Sequence, residues 1–323
     1  MSAITISKLT KKYEDLTVVD GIDLTVEQGE IFGLLGPNGA GKTTTLMMLS
    51  TLLEPTSGNA SVNGFDIKTQ QGKVRGSIGM VFQDPSTDEI LTGYENLKLH
   101  ALMYDVPVEE IGERIESVLK LVDLRDRQHD MVKKYSGGMR RRLEIARGLL
   151  HQPEILFLDE PTLGLDPQTR EHIWAYIEAL AKKSGMTIIL TTHYMEEADK
   201  LCDRVAIIDH GKIVVLDTPE KLRHAMGGDS VLLSGKDLPM DEIGKLPFVQ
   251  KIEKIDHHLR LSIADSAKNL QELLRVAGDI DLVEVRSPDL NDVFLHFTGN
   301  EIREEGGGAM EHLRVITRAR QNH

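Results

Sequence analysis

Alternating apolar and polar positions at Ala3-Ile4-Thr5-Ile6-Ser7-Lys8-Leu9 and at Ile22-Asp23-Leu24-Thr25-Val26-Glu27 predict half-buried strands. Ile31-Phe32-Gly33-Leu34-Leu35 is instead continuously apolar, as a strand covered on both faces requires. It runs directly into a glycine-rich loop, after which Thr45 to Leu53 reads as a helix ended by Glu54-Pro55-Thr56-Ser57-Gly58. Between about Leu91 and His151 the period is helical, with Ile111, Ile115, Val118, Leu119 and Val122 at spacings of three and four. Strand character returns at Ile155 to Leu158, Thr187 to Leu190 and Arg204 to Ile208, with helices at Gln168 to Lys183 and Met195 to Leu201 between them. Strands alternating with helices predict an α/β domain on a largely parallel sheet. Past Gly227-Gly228 the pattern changes to short strands around Ser230 to Leu233, Lys251 to Ile263 and Leu282 to Arg286, with a helix at Ser266 to Val276. The expected division is a domain over 1–226, a small α+β domain over 227–300 and a mobile tail over 301–323.

The chain has 323 residues, enough for two domains at about 150 residues each. No apolar run approaches the roughly 18 residues of a membrane helix, and the first residues lack the apolar core of a secretory signal, so a cytosolic protein is expected. The balance of 38 Lys+Arg against 51 Asp+Glu, a net charge of −13, disfavours duplex nucleic acid as the main partner. Aromatic residues at 4% are too few for base-stacking platforms. One cysteine, Cys202, excludes an internal disulfide and a cysteine-rich zinc site.

The loop after the third strand, Gly36-Pro37-Asn38-Gly39-Ala40-Gly41-Lys42-Thr43-Thr44, fits the pattern G-x-x-x-x-G-K-[ST] in the context that gives the pattern meaning, a buried strand before and a helix after. Small residues let successive backbone N–H groups turn toward one anion, and the helix start adds its positive dipole end. Lys42 is expected to reach the β- and γ-phosphates of a nucleotide and the Thr43 hydroxyl to ligate Mg²⁺. Ile155-Leu156-Phe157-Leu158-Asp159-Glu160 is a buried strand ending in two carboxylates, where open α/β sheets place ligand chemistry. Asp159 suits Mg²⁺ held through water, and Glu160 suits proton acceptance from an attacking water. Lys42 and Asp159 are too far apart for one βαβ unit of about 30 residues, so the helical stretch between them is an insertion. Near its far end Ser136 precedes a helical run as an N-cap, and Arg140-Arg141-Arg142 reads as a solvated helix face.

Together these residues resemble the ATP-binding cassette ATPase family over roughly residues 3 to 225. Gly36 to Thr44 is similar to the Walker A loop, Gln83 in Val81-Phe82-Gln83-Asp84 to the Q-loop, and Ser136-Gly137-Gly138 to the signature. Asp159-Glu160 resembles the end of Walker B, Leu165-Asp166 the D-loop, and His193 in Thr191-Thr192-His193 the switch histidine. Tyr13 stands where the family places an aromatic ring against adenine, and Tyr135 and Met139 depart from the commonest signature form.

The resemblance implies a P-loop cassette with an antiparallel β subdomain and an inserted helical subdomain, with ATP and Mg²⁺ bound. It assigns the nucleotide to Tyr13, Gly36, Pro37, Asn38, Gly39, Ala40, Gly41, Lys42, Thr43, Thr44, Gln83, Ser136, Gly137, Gly138 and Asp166, the metal to Thr43, Gln83 and Asp159, and catalysis to Glu160, His193 and Lys42. It also implies two copies meeting head to tail around ATP, and a separate membrane permease received by Gln83 to about Tyr104 that holds the chain at the cytoplasmic face of the membrane. Replacing Glu89 or Tyr94 is then expected to impair transport more than basal ATPase. The signature region and Pro288-Asp289-Leu290-Asn291-Asp292-Val293-Phe294-Leu295-His296-Phe297-Thr298-Gly299 resemble the drug-exporter branch, similar to daunorubicin-resistance-type ATPases. The second motif reads physically as a helix capped by Asp289 that buries Leu290, Val293, Phe294 and Phe297. An importer ATPase, which shares every nucleotide motif, and a cytosolic cassette acting on ribosomes or nucleic acid are the alternatives. In the tail, Met310, Leu313 and Ile316 with nearby arginines suit contact with anionic lipid, or a disordered end.

Overall fold

The computed structural model describes residues 2–235, 238–255 and 258–298, and the expected tail over 301–323 lies outside the described residues. Two compact units divide the chain at Leu216/Asp217.

The first unit opens with β1 (Ser2–Tyr13) and β2 (Leu16–Glu27), a hairpin longer than the alternation predicts. Register shifts after Ile6 and Leu9 break the alternation while pairing continues to Tyr13↔Leu16. The buried β3 (Ile31–Leu35) leads through the glycine-rich loop to α1 (Lys42–Leu49). Next come β4 (Ser57–Val62), β5 (Phe65–Asp66), α2 (Gln71–Ser77) and β6 (Ile78–Val81). The helical insertion holds α3 (Gly93–Met103), α4 (Val108–Leu121) and α5 (Gly137–Leu149). The chain then alternates through β7 (Ile155–Asp159), α6 (Pro167–Ser184), β8 (Thr187–Thr192), α7 (Met195–Leu201), β9 (Arg204–Asp209) and β10 (Lys212–Asp217).

Two sheets result. One has the order β2-β1-β4-β5, the other β10-β9-β3-β8-β7-β6. In the second, β9, β3, β8, β7 and β6 are parallel, and the register sets Leu35 beside Thr192 and Asp159 beside Thr191. The carboxyl ends of β3, β7 and β8 therefore finish at one level, the edge where open parallel sheets bind ligands. Phe32, Leu34, Phe157, Ile189, Ala206 and Ile208 join the core beneath that edge with the apolar positions of β1, β2 and α1.

The second unit begins at Asp217, ten residues before the expected boundary, because α8 (Pro219–His224) packs on the last described helix, α11 (Leu290–Thr298). Between them lie β11 (Asp229–Gly235), α9 (Met240–Ile243), β12 (Val249–Ile255), β13 (His258–Ile263), α10 (Ser266–Ala277) and β14 (Ile280–Arg286). Their antiparallel order, β12-β13-β11-β14, is that of a βαββαβ ferredoxin-like sheet. Val231, Leu233, Leu259, Leu261 and Ile263 face Leu273 and Ala277 of α10 in its core. In α11 Leu290, Val293 and Phe294 are buried as expected, but Phe297 is 38% exposed. Asp289 and Asp292 cap that helix start reciprocally, each accepting the other's backbone N–H.

Candidate nucleotide-binding and hydrolysis site

The loop after β3 is built around close backbone approaches. A Cβ on Gly36 would lie 2.2 Å from the Ile208 carbonyl of β9, and one on Gly41 2.6 Å from the Val18 carbonyl, at a φ of +103°. Glycine at these two positions lets the loop lie flat on its neighbours and lead straight into the N-terminus of α1, whose first backbone N–H groups can face an anion. Ala40 is buried, Pro37 accepts its N–H, and Asn38 and Gly39 form the outer turn. Lys42 Nζ donates to the carbonyls of Gly36 at 2.8 Å and Pro37 at 3.1 Å and lies 3.4 Å from Glu160 Oε1. Burial lowers the Lys42 ammonium pKa, and Glu160 opposes that shift.

Thr43 Oγ1 donates to Asp159 Oδ1 at 3.0 Å, and Thr191 Oγ1 donates to the same oxygen at 2.5 Å. Burial raises the Asp159 carboxyl above the usual range, against the pull of both hydroxyls. Its neighbour Glu160 stands at a φ of +44°, a left-handed conformation uncommon for this residue type, held by its N–H donating to the Thr191 carbonyl and hydroxyl. That turn aims its carboxylate at Lys42 and at His193, whose Nδ1 lies 3.2 Å from Oε1. Burial alone would raise Glu160, but the His193 hydrogen bond and the Lys42 charge outweigh it and hold the carboxyl below its ordinary value. Two adjacent acids are thus driven in opposite directions.

The structure therefore brings Lys42, Thr43, Asp159, Glu160 and His193 into one bonded cluster. Gly36 and Pro37 join it through the Lys42 ammonium, and the expected residues beyond this loop lie outside it. Tyr13 ends β1 half-buried, with Lys11 Nζ 5.1 Å from its ring centre. Gln83 follows β6, and Thr44 sits in α1. Ser136 caps α5 by accepting the Met139 N–H, with Gly137 and Gly138 in the first turn. Asp166 caps α6, its carboxylate taken up by the Thr169 N–H and hydroxyl.

Arg141 overturns the solvated reading of the arginine run. It is buried, and its guanidinium donates to the carbonyls of Phe82 at 2.6 Å, Pro161 at 2.7 Å and Asp159 at 2.9 Å. Arg140 pairs with Glu89, and Arg142 donates to the Val122 and Asp123 carbonyls. Sequence reasoning also missed Glu197, fully buried and accepting from Thr162 Oγ1 and Trp174 Nε1, which ties the turn after Glu160 to α6. Glu197 carries no sequence signal of its own, whereas Thr191 could have been singled out as the polar end of an apolar strand, though not its place beside Asp159.

Comparison with known proteins fits this geometry. Residues 19–163 match the model of the ABC transporter family, and residues 218–298 match that of the ATP-binding protein DrrA1-3-like C-terminal domain. The daunorubicin resistance ATP-binding protein DrrA3 of Streptomyces coeruleorubidus is 38% identical, covering 94% of this chain and 98% of its own. The chain belongs to the ATP-binding cassette transporter family. Among other cassette relatives, the linearmycin resistance ATP-binding protein LnrL of Bacillus subtilis is 39% identical over 92% of this chain and 98% of its own. A solved cassette, cbiO1 from Clostridium perfringens, part of the transporter complex cbiONQ, superposes with a TM-score of 0.64 at 30% identity, covering 68% of this chain and 90% of that one. The cassette MJ0796 in a post-hydrolysis dimer bound to ADP and phosphate gives 0.60 at 27% identity, covering 67% and 98%. As a member of the cassette family the chain binds and hydrolyses ATP. No helix of the described residues is long and apolar enough to cross a membrane.

Proposed function

We propose that this chain is the ATP-hydrolysing subunit of an exporter for a drug-like or lipid-like compound, working at the cytoplasmic face of the membrane beneath a separate permease. The observation that carries the hydrolytic part is the bonded cluster in which Glu160 lies against both His193 and Lys42 while Thr43 and Asp159 share a hydrogen bond. The export part is supported by the DrrA-like C-terminal domain and by full-length similarity to resistance and Nod factor export proteins.

In this reading the loop from Gly36 to Thr44 wraps the phosphates, the N–H groups at the start of α1, from Gly41 to Thr44, donate to them, and Tyr13 stacks on adenine. Lys42 then leaves its own loop carbonyls for the phosphate oxygens, which release it from a purely internal role. Among the described residues no three His, Cys, Asp or Glu side chains converge as a metal cage. Thr43, Asp159 and Gln83 suit Mg²⁺, an ion that keeps several waters and binds through few protein oxygens plus phosphate. Bound there, it would offset negative charge on the phosphates. Glu160, held ionised, orients water and accepts its proton, while His193 fixes the carboxylate and, with Lys42, balances charge developing on the phosphoryl group.

Ser136, Gly137 and Gly138 at the start of α5 would complete the phosphate site of a second copy in a head-to-tail dimer, with Asp166 at the seam. Exposed Leu99, Leu102 and Met103 on one side of α3, with Ile90 just before it, would receive the permease. Glu160→Gln is expected to lower turnover by about 10²- to 10⁴-fold while ATP binding persists and an ATP-dependent dimer accumulates. Light scattering with and without ATP reads the dimer, and wild-type turnover in this variant would refute the role of Glu160.

A further inference from the structure

The face of α5 that carries Arg141 continues, at three-residue spacing, through Glu144 and Arg147. Glu144 is buried, and its carboxylate is saturated. Oε1 accepts the N–H groups of Ser86 and Thr87, both at 2.7 Å. Oε2 accepts Ser86 Oγ at 2.9 Å and Arg147 Nη1 at 3.0 Å, and Arg147 Nη1 also donates to Ser86 Oγ at 2.7 Å. A carboxylate offers about four acceptor sites, and here three of four are given to a single two-residue stretch of the loop that leaves β6. The other end of that loop is fixed by Arg141 at the Phe82 carbonyl. Gln83, Asp84 and Pro85 span the gap between the two anchors.

We propose that Glu144 is a positioning residue for Gln83, clamping the far end of its loop to the helix that begins with Ser136, so that a displacement of that helix moves Gln83 with it. This rests on the reading of Gln83 as a nucleotide–Mg²⁺ contact. Arg141 alone would leave the loop pivoting about Phe82; two anchors with three residues between them define the path of the backbone. The charged acceptor matters because hydrogen bonds to an ionised group are the shorter and stronger kind, and a neutral amide would present a donor where all four partners donate.

Glu144→Gln is isosteric and tests this directly. Hydrogen exchange should show the Ser86 and Thr87 amides opening about tenfold faster with the α5 amides unchanged. Steady-state ATPase should fall by about 10- to 100-fold, the range that misplacing a site group costs, with a higher Mg²⁺ requirement and nearly unchanged affinity for ATP measured without Mg²⁺. In combination with Gln83→Ala the double variant should be no slower than Gln83→Ala alone. Ser86→Ala, an exposed position that leaves the fold intact, should give a smaller change of the same kind. Unchanged exchange at Ser86 and Thr87, or losses that multiply with an impaired Gln83→Ala, would overturn the proposal by themselves. Wild-type turnover in Gln83→Ala would overturn the Gln83 assignment together with the functional half of the proposal.

Discussion

Asp159 and Glu160 sit side by side in the chain, yet the fold gives them opposite protonation tendencies, and the sign of each has a consequence. Burial raises the Asp159 carboxyl despite the Thr191 and Thr43 hydroxyls, so the folded state binds more protons than the unfolded chain between the ordinary and the raised value. Its ionised form is therefore a net cost above that window, and Asp159→Asn should stabilise the nucleotide-free protein at neutral pH while abolishing Mg²⁺-dependent turnover. A rise in Tm of about 2–4 °C, what roughly 1 kcal/mol produces in a domain of this size, is expected by calorimetry without Mg²⁺, and a lower Tm would contradict it. Glu160 works the other way. Burial is outweighed by His193 and Lys42, so its contribution is present above the ordinary carboxylate value and is lost as pH falls through the lowered one. Glu160→Gln should be less stable than wild type at neutral pH, with the gap closing in acid. The sequence carried the identity of both acids because a buried strand ending in two carboxylates is a local pattern. It did not carry the role of Arg141, because three consecutive arginines on a helix point in directions about 100° apart and only packing decides which turns inward.

Elements whose burial is uniform were legible. β3 and β7 are continuous apolar runs, and both became buried interior strands. Sheet order was not, since no periodicity records which strand lies beside which; β8 between β3 and β7, and the split order of the second unit, arise from long-range pairing. The glycine-rich loop shows the same limit at finer grain, because its glycines look alike in sequence and differ in what surrounds them. Gly36 has an ordinary φ but no room against the β9 backbone, while Gly39 has a φ of +82° and open space around it. Gly36→Ala should therefore cost about 3 kcal/mol, the upper end of the overpacking range, and weaken ATP binding by pushing the loop off Ile208. Gly39→Ala should cost only about 1 kcal/mol, the strain of a left-handed residue bearing a Cβ. Urea midpoints of the two variants check the order, and a larger loss at Gly39 would mean that conformation rather than packing fixes the loop.

For the whole molecule, the exposed apolar side of α3 is the surface whose burial the fold leaves undone. Leu97 and Ala101 are buried in the insertion, whereas Leu99 and Leu102 are each 50% exposed and Met103 69%, and Ile90 reaches 72% on the preceding loop. Single exposed apolar residues need no explanation; residues spaced i, i+3 and i+4 share one helix face and form a patch, and a patch that costs solvation is retained when a partner covers it. Glu89 and Tyr94 are poorer probes of that partner than the sequence suggests. Glu89 is paired with Arg140 of α5, so its loss reaches that helix, and Tyr94 is half-buried. Ile90→Ser with Met103→Ser changes the patch without touching the bonded cluster around Glu160. Basal ATPase of the isolated chain should stay within about twofold, since surface changes away from buried features are nearly neutral for the fold. Co-purification with the permease and substrate-stimulated ATPase in liposomes should both drop by about tenfold or more, as loss of anchoring apolar contacts does at an interface. Full stimulation in that double variant would place the docking surface elsewhere on the molecule, and an equal fall in basal turnover would mean that the patch supports the site itself rather than a partner.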